Sequence, residues 1–479
     1  MSIKAEEIEE GRPQHEQNHQ SVSEQTNLRI RRTFDRKLLP IVCCLYVLSY
    51  LDRGNIGNAK AAGAKADLGL SDSDWSWVLN SFYICYVAFE WTNLFWKILP
   101  ASKYVAVLCV LWGAAAMSSG AAHNLGSLAA TRAFLGMFEA AFGAGAPYFL
   151  SMFYKRRELG FRVSLLIGMS PLANCFASAL AYGITQIHGS LEPWRYLFII
   201  EGAPTIAFSL VTWFFLADSP GTAKYLSEED KTYAVERLQV RDRTKKTGVR
   251  WDQIFAGMTD YQNYVHTLIH FCNNYSFAAL SNFLPTIVRD MGYSSVTAQG
   301  LTAPPYFAAF ACCVAAAWAS DRYGKRGFIV SGGGAIGTAG YLILVLVRDE
   351  SAVAARYAGI FMASCGVFPA MCINITWLLN NQGGDSKKGA GLAILATLGQ
   401  CSSFVSSVVF PSSDAPFYTK GTAIGCGLTG VTCLSALALH FLLKMENQRR
   451  DRELGPANEN ETVDVTEHGD KHRNFRYLT

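Results

Sequence analysis

Long apolar blocks separated by short polar intervals organise the chain. The first opens at Leu38, and others cover residues 75–99, 103–122, 127–154, 163–187 and 194–217. After a polar interval the plan repeats, with apolar runs near 264–288, 298–319, 327–347, 353–379, 389–410 and 422–443. Each run approaches or exceeds the roughly 20 residues that an α-helix needs to cross a bilayer. Within hydrocarbon, a helix is one of the few backbone forms that satisfies every N–H and C=O group internally. The pattern predicts an all-α membrane protein of two six-helix bundles, at 35–217 and 263–445, with about 12 spans. A polar cytosolic linker is expected at 218–262, with a helix start at Ser227-Glu228-Glu229-Asp230 and a basic cluster from Arg241 to Arg250. Polar cytosolic tails are expected at 1–34, read as disordered, and at 446–479. No apolar stretch precedes Leu38, so the first span is expected to serve as its own insertion signal.

Composition agrees with that class: of 479 residues, 50% are hydrophobic and only 17% charged, yet the tails and linker are strongly polar, so the apolar residues concentrate in the blocks. Basic residues mark alternate loops, at Lys97 and Lys103, Lys155-Arg156-Arg157, Arg322 to Arg326 and Lys387-Lys388, while the loops holding His123 and His188 carry few. By the positive-inside rule this places both termini in the cytosol. A net charge of +4 spread in this way is no nucleic-acid footprint. All thirteen cysteines fall inside apolar runs, which reads as packing rather than a disulfide framework or metal site. No nucleophile set, metal cluster or phosphate loop suggests an enzyme or a cofactor; Gly332-Gly333-Gly334 lies in an apolar helix as a packing face. His266 and His270 have helical ligand spacing but lack a third ligand, and the sequons at Asn274 and Asn374 lie inside spans.

Charges inside the apolar runs are the informative exceptions. Asp52 and Arg53 sit in the first span, and each charge costs roughly 2.5–3.5 kcal/mol at mid-membrane on insertion scales. Being consecutive, they point about 100° apart on a helix and need partners elsewhere. Arg132 and Glu139, seven apart in the fourth span, share a helix face with Gly136 between them, and either is a natural partner. Two readings fit: a structural ion pair with snorkelling side chains, or a site that binds an anion and moves a proton.

Several motifs carry a family resemblance. Asp321-Arg322-Tyr323-Gly324-Lys325-Arg326 resembles the signature loop of the major facilitator superfamily, whose first-half equivalent near Lys97 to Lys103 is degenerate here. Arg132-Ala133-Phe134-Leu135-Gly136 resembles the superfamily's fourth-helix arginine motif. Together with Tyr50-Leu51-Asp52-Arg53-Gly54-Asn55, the stretch from Trp194 to Gly202, and Phe283-Leu284-Pro285-Thr286-Ile287, it is similar to the anion:cation symporters, in their fungal branch of allantoate, nicotinate and pantothenate permeases. The resemblance covers nearly everything between Phe34 and Met445.

That resemblance implies the major facilitator fold and a plasma-membrane permease, functional as a monomer, that takes up a small organic anion with protons by alternating access. It implies that Arg53 binds the substrate carboxylate, that Asp52 and Glu139 couple protons, and that Arg132 biases those carboxyls. Asp321, Arg322, Arg326 and Glu201 are expected in gating or structural roles; Glu90 also lies within a span. Tyr83, Asn274, Asn374 and Trp377 are expected to supply polar contacts and an aromatic wall, or else to hydrogen-bond between helices. An exporter working as a proton antiporter is the rival, although Gly168-Met169-Ser170-Pro171 matches the antiporter motif only loosely. A transporter-derived nutrient receptor is another, and the modest tails speak against it.

Overall fold

The structure, a computed structural model, describes residues 14–143, 145–187, 189–239, 250–456, 469–472 and 474–479. The first thirteen residues, His188 and all but the last residue of the basic cluster at 241–250 lie outside that set. Apart from a helix at Gln14–Lys37, twelve long helices run through the described residues: α1 (Leu39–Ala61), α2 (Asp72–Phe89), α3 (Ala101–Ser119), α4 (Leu125–Gly143), α5 (Arg156–Ile184) and α6 (Pro193–Phe215), then α7 (Tyr261–Arg289), α8 (Ser295–Tyr323), α9 (Arg326–Leu346), α10 (Val353–Asn381), α11 (Asp385–Gln400) and α12 (Thr419–Leu454). Three continue in a second piece: α2 as a 3₁₀ turn (Glu90–Lys97), α4 as Gly145–Ser151 and α11 as Ser402–Val408. An even number of crossings returns the chain to its starting face, called here the terminal face. The opposite one is the far face.

Local chemistry sets the helix ends. Ser71 caps α2 in a reciprocal box with Asp74, and Ser294 caps α8 through the Thr297 amide. Gly324, at φ 67°, ends α8 in the left-handed conformation that lets α9 begin two residues later. Among the described residues, nine helices are long and apolar enough to cross a membrane; α1, α2 and α7 are the others. α1 holds Asp52, Arg53, Asn55, Asn58 and Lys60, and α7 holds His266, His270, Asn273 and Asn274, all buried. These helices are less apolar because their polar side chains face protein, while large apolar residues such as Phe214, Phe215 and Leu434 cover the exterior.

Backbone proximity holds α9 against α10. A methyl group added to Gly366 would lie 2.5 Å from the Gly333 carbonyl oxygen, and one on Gly334 would lie 2.7 Å from the Cys433 amide of α12. The two halves also meet at both faces. At the far face Ser295 donates to the Ala61 carbonyl (2.7 Å) and Ser76 to the Ser407 carbonyl (2.9 Å). Toward the terminal face Ser164 and Thr376 share a hydrogen bond (2.8 Å).

The described parts of the segments outside the bundles are more ordered than their composition suggests. Gln14–Lys37, expected to be disordered up to residue 34, is a helix. Ile30, Phe34 and Leu38 recur every four residues, form one apolar face and are fully buried. Phe34 packs edge-on to Phe153 (5.3 Å between centroids). In the linker, helix Glu228–Gln239 supplies Arg237, which bonds Asn27 (2.7 Å) and the Phe153 carbonyl (2.8 Å). In the final tail α12 runs on to Leu454, and the chain returns to the bundle: Leu478 gives its amide to Asn381 Oδ1 (2.8 Å), and its carbonyl accepts from Trp377 Nε1 (2.7 Å) and Asn381 Nδ2 (2.8 Å).

The α9–α10 contact yields a stability prediction. Gly366→Ala forces the two backbones apart and should destabilise the fold by roughly 1–3 kcal/mol, as overpacking does. A lower melting temperature of the purified protein checks it; an unchanged one would show that the helices part without cost.

Candidate functional site

Every residue of α1 from Ser49 to Ala61 is buried. Arg53 leaves this segment toward α4, where its Nη2 lies 3.1 Å from Glu139 Oε1. The same oxygen accepts from Ser49 Oγ at 2.5 Å; Ser49 precedes Arg53 by four residues and so shares its face. Tyr50, Phe82 and Tyr86 surround the guanidinium, their ring centroids 4.8, 5.0 and 4.7 Å from its carbon. Such faces attract a desolvated cation. Among the described residues Arg53 Nε and Glu139 Oε2 have no hydrogen-bond partner, so a donor and an acceptor remain open inside the core.

Asp52 points toward α6. Its Oδ2 accepts from Thr205 Oγ1 (2.8 Å), and its Oδ1 is unpartnered. Glu201 lies one turn before Thr205 and next to Asn55, and neither side chain meets the hydrogen-bond geometry with any group among the described residues. The first span thus has a polar cluster on each of two sides: one centred on Arg53 and Glu139, the other on Asp52 and Glu201.

Arg132 has a role that its spacing from Glu139 did not indicate. Its two terminal nitrogens donate to the carbonyls of Asp52 (3.3 Å) and Arg53 (3.2 Å), so one guanidinium spans two successive acceptors of α1. Gly136, between Arg132 and Glu139, lets α2 approach until an added methyl group would collide with the Phe82 carbonyl. Phe82 thereby sits beneath both guanidiniums, 5.0 Å from each.

The second half contributes unevenly. Tyr83 accepts from Asn282 Nδ2 of α7 (2.9 Å), which joins the halves beside the Arg53 cluster. Asn274 donates to Ser403 (2.9 Å), Ser402 (3.2 Å) and the Gly399 carbonyl (3.2 Å), spanning the interruption in α11. Asn374 and Trp377 are not brought to this region. Asn374 pairs with His266 through Oδ1 (2.8 Å) and with its carbonyl through Nδ2 (3.0 Å). Trp377 packs edge-on to His266 and spends its only donor on the Leu478 carbonyl, so the expected aromatic wall of a cavity is instead covered by the C-terminal segment. Glu90 accepts from Thr397 of α11 (3.2 Å).

The loop signature works as a brace on the terminal face. Arg326 bonds the Thr376 carbonyl (2.8 Å) and Asp321 (3.3 Å), and a methyl group added to Gly160 of α5 would lie 3.1 Å from Arg326 and 3.3 Å from Asp321. Arg322 is exposed. Sequence reasoning missed Ser49, Thr205 and the ring of Tyr50, Phe82 and Tyr86. Spacing offered a signal: Ser49 and Tyr50 precede Arg53 by four and three residues, and Phe82 and Tyr86 are four apart on α2.

Comparison with known proteins agrees with this architecture. The sequence profile of the Major Facilitator Superfamily matches residues 42–407. The chain is 31% identical over 434 residues to the MFS transporter prlL of Fungal sp. (strain NRRL 50135), covering 88% of this chain and 87% of that one. It is 29% identical over 458 residues to the high-affinity nicotinic acid transporter of Saccharomyces cerevisiae, covering 94% and 84%. Among solved structures, the proton:xylose symporter XylE superposes with a TM-score of 0.63 at 15% identity, over 85% of this chain and 95% of that one, a likeness of fold.

The brace on α1 makes a testable claim. Arg132→Lys keeps the charge but loses the fork that reaches two carbonyls, and a hydrogen bond from a charged donor contributes roughly 1.5–3 kcal/mol. The purified variant should melt at a lower temperature. Wild-type melting would mean that Arg132 does not hold α1.

Proposed function

The chain belongs to the Major Facilitator Superfamily, and from that membership and the buried Arg53–Glu139 pair we propose that it takes up a small organic anion together with protons by alternating access. It is a multi-pass membrane transporter, not an enzyme. The substrate class we propose is a carboxylate nutrient of the nicotinate, allantoate or pantothenate kind, and the membrane is the plasma membrane. The named nicotinate carrier among its relatives supports that class. Basic residues on the terminal face, among them Lys155, Lys325, Lys387 and Lys388, support a cytosolic terminal face, with the far face outside. The working unit is a monomer in the bilayer.

The observation that carries the reading is that Arg53 has one anionic partner and an unfilled donor. With Glu139 ionised, the guanidinium is neutralised and offers an arriving carboxylate little. A proton on Glu139 removes that competitor, and the carboxylate takes its place against Arg53 in bidentate geometry, within the ring of Tyr50, Phe82 and Tyr86. Proton and anion therefore favour each other's binding.

Charge balance gives the same coupling. The two clusters contain Arg53 and Arg132 against Asp52, Glu139 and Glu201, so neutrality requires one proton on the carboxyls of the empty site and a second when a monocarboxylate is bound. Each net positive charge that enters gains about 2.3 kcal/mol per 100 mV of membrane potential, and an anion entering alone loses the same amount. Uptake of labelled nicotinate, allantoate and pantothenate into cells expressing the protein tests the proposal. Accumulation should collapse with a protonophore, and accumulation indifferent to it would remove proton coupling.

Two variants probe the pair itself. Glu139→Gln keeps the shape without the titratable proton, so accumulation against a gradient should fail while substrate exchange survives; accumulation at the wild-type level would clear Glu139 of coupling. Arg53→Lys loses the planar fork and should weaken affinity by something on the order of tenfold to a hundredfold, given roughly 1.5–3 kcal/mol for a charged hydrogen bond. Measured on monodisperse purified protein, wild-type affinity would leave Arg53 a purely structural role.

A further inference from the structure

A cavity of about 370 Å³ opens at the far face, where α1 and α7 end, α2 begins and the second piece of α11 stops. Its volume is at the lower end of small-molecule sites, enough for one aromatic carboxylate. Trp75, Phe283 and Phe410 give it apolar walls, and Lys60, Asp72, Asn80 and Ser407 give it polar ones. Lys60 is 7% exposed, and its ammonium stands 4.7 Å from the centre of the Phe283 ring. It has no hydrogen-bond or ion-pair partner among the described residues.

The charged neighbours of Lys60 are Lys65, Asp72, Arg289 and Asp290. They neutralise one another: Asp72 is held by Lys65 (2.6 Å) and by the amide and hydroxyl of Ser412 (3.1 and 3.0 Å), and Asp290 by Arg289 (2.9 Å) and the Tyr418 hydroxyl (2.5 Å). Among these described neighbours Lys60 is left as the unbalanced cation. Beside it, half-buried Asn80 accepts from Ser407 Oγ through Oδ1 (2.7 Å), a bond in which its NH₂ takes no part. An ammonium and an amide NH₂ along one aromatic-walled cavity are the donors that a carboxylate needs.

The position of Lys60 on α1 connects this cavity to the main site. It lies seven residues after Arg53, hence on the same helix face and about 10.5 Å further along the axis. Between them, a methyl group added to Gly57 would lie 2.7 and 2.8 Å from the carbonyl oxygens of Ser281 and Asn282, and Asn282 also donates to Tyr83. The α1–α7 contact therefore closes the line from Lys60 to Arg53. We propose that this mouth is a second carboxylate site, in which Lys60 and Asn80 hold an organic anion outside the closed α1–α7 contact before it passes to Arg53. The identity of the ligand rests on the carboxylate reading given above. A single ammonium without a fork suits a site that must release its ligand inward.

The test uses full-length protein in nanodiscs, with nicotinate as probe and nicotinamide as its neutral isostere, read by saturation-transfer NMR. Arg53→Ala, which removes the deeper site, should retain weak nicotinate binding, with a dissociation constant on the order of 1 mM. The double variant Arg53→Ala/Lys60→Gln should weaken this at least tenfold, Arg53→Ala/Lys60→Arg should restore it, and nicotinamide should give no Lys60-dependent signal. Absence of nicotinate binding in Arg53→Ala, binding indifferent to Lys60→Gln, or equal binding of nicotinamide would each overturn the proposal. Lys60-dependent binding in a protein that transports no carboxylate would uphold the mouth site and reject the transport reading, so the two failures are distinguishable.

Discussion

A guanidinium in an apolar bundle needs a counter-charge, and the arrangement of the first half follows from meeting that need for Arg53. Glu139 supplies the charge, Ser49 holds the carboxylate oxygen that faces Arg53, and three aromatic faces replace water around the cation. Because truncating one partner of a buried pair strands the other, α1 and α4 are bound to one register. Arg132 strengthens that register from the side by bonding the α1 backbone, so the two arginines divide the work: one pairs with a carboxylate and the other fixes the helix that presents it. Uptake of an anion, as proposed, would use the same neutrality requirement with a different counter-ion.

Neutrality also separates the two sides of α1. Asp52 and Glu201 carry unpartnered oxygens away from Arg53, facing α6. With the one proton that the charge count proposes held there, the remaining carboxylate would balance the second guanidinium outside the pocket where the substrate carboxylate is proposed to sit. The halves meet beside the Arg53 cluster through Tyr83 and Asn282, a contact that the proposed alternating access would have to part for the far side to open.

The fold was legible in the sequence because the bilayer fixes the length of each run: the run expected at 194–217 is the helix Pro193–Phe215, and that at 327–347 is Arg326–Leu346. The charged residues were legible because each is costly in hydrocarbon. Hydroxyls and aromatic rings were not: Ser49 and Thr205 look like any interhelical serine or threonine, and Phe82 like any core phenylalanine, until the neighbouring helix is in place. Trp377 fails for another reason, since its partner, Leu478, is 101 residues away in a tail with no periodic pattern. The helix Gln14–Lys37 was obscured by its many polar residues, although Ile30, Phe34 and Leu38 trace one face.

The interruption of α11 at Cys401 has a mechanical consequence. α11 is tied to α2 on both sides of the break, by Thr397 to Glu90 on one and by Ser407 to Asn80 on the other, and Asn274 of α7 clasps the break itself. A continuous rod pinned in this way would transmit any tilt at one end to the other. A jointed one can flex at its fulcrum, so under the alternating access proposed above one limb would swing clear of α2 while its counterpart kept its fastening, and each mouth would have its own door on a shared hinge.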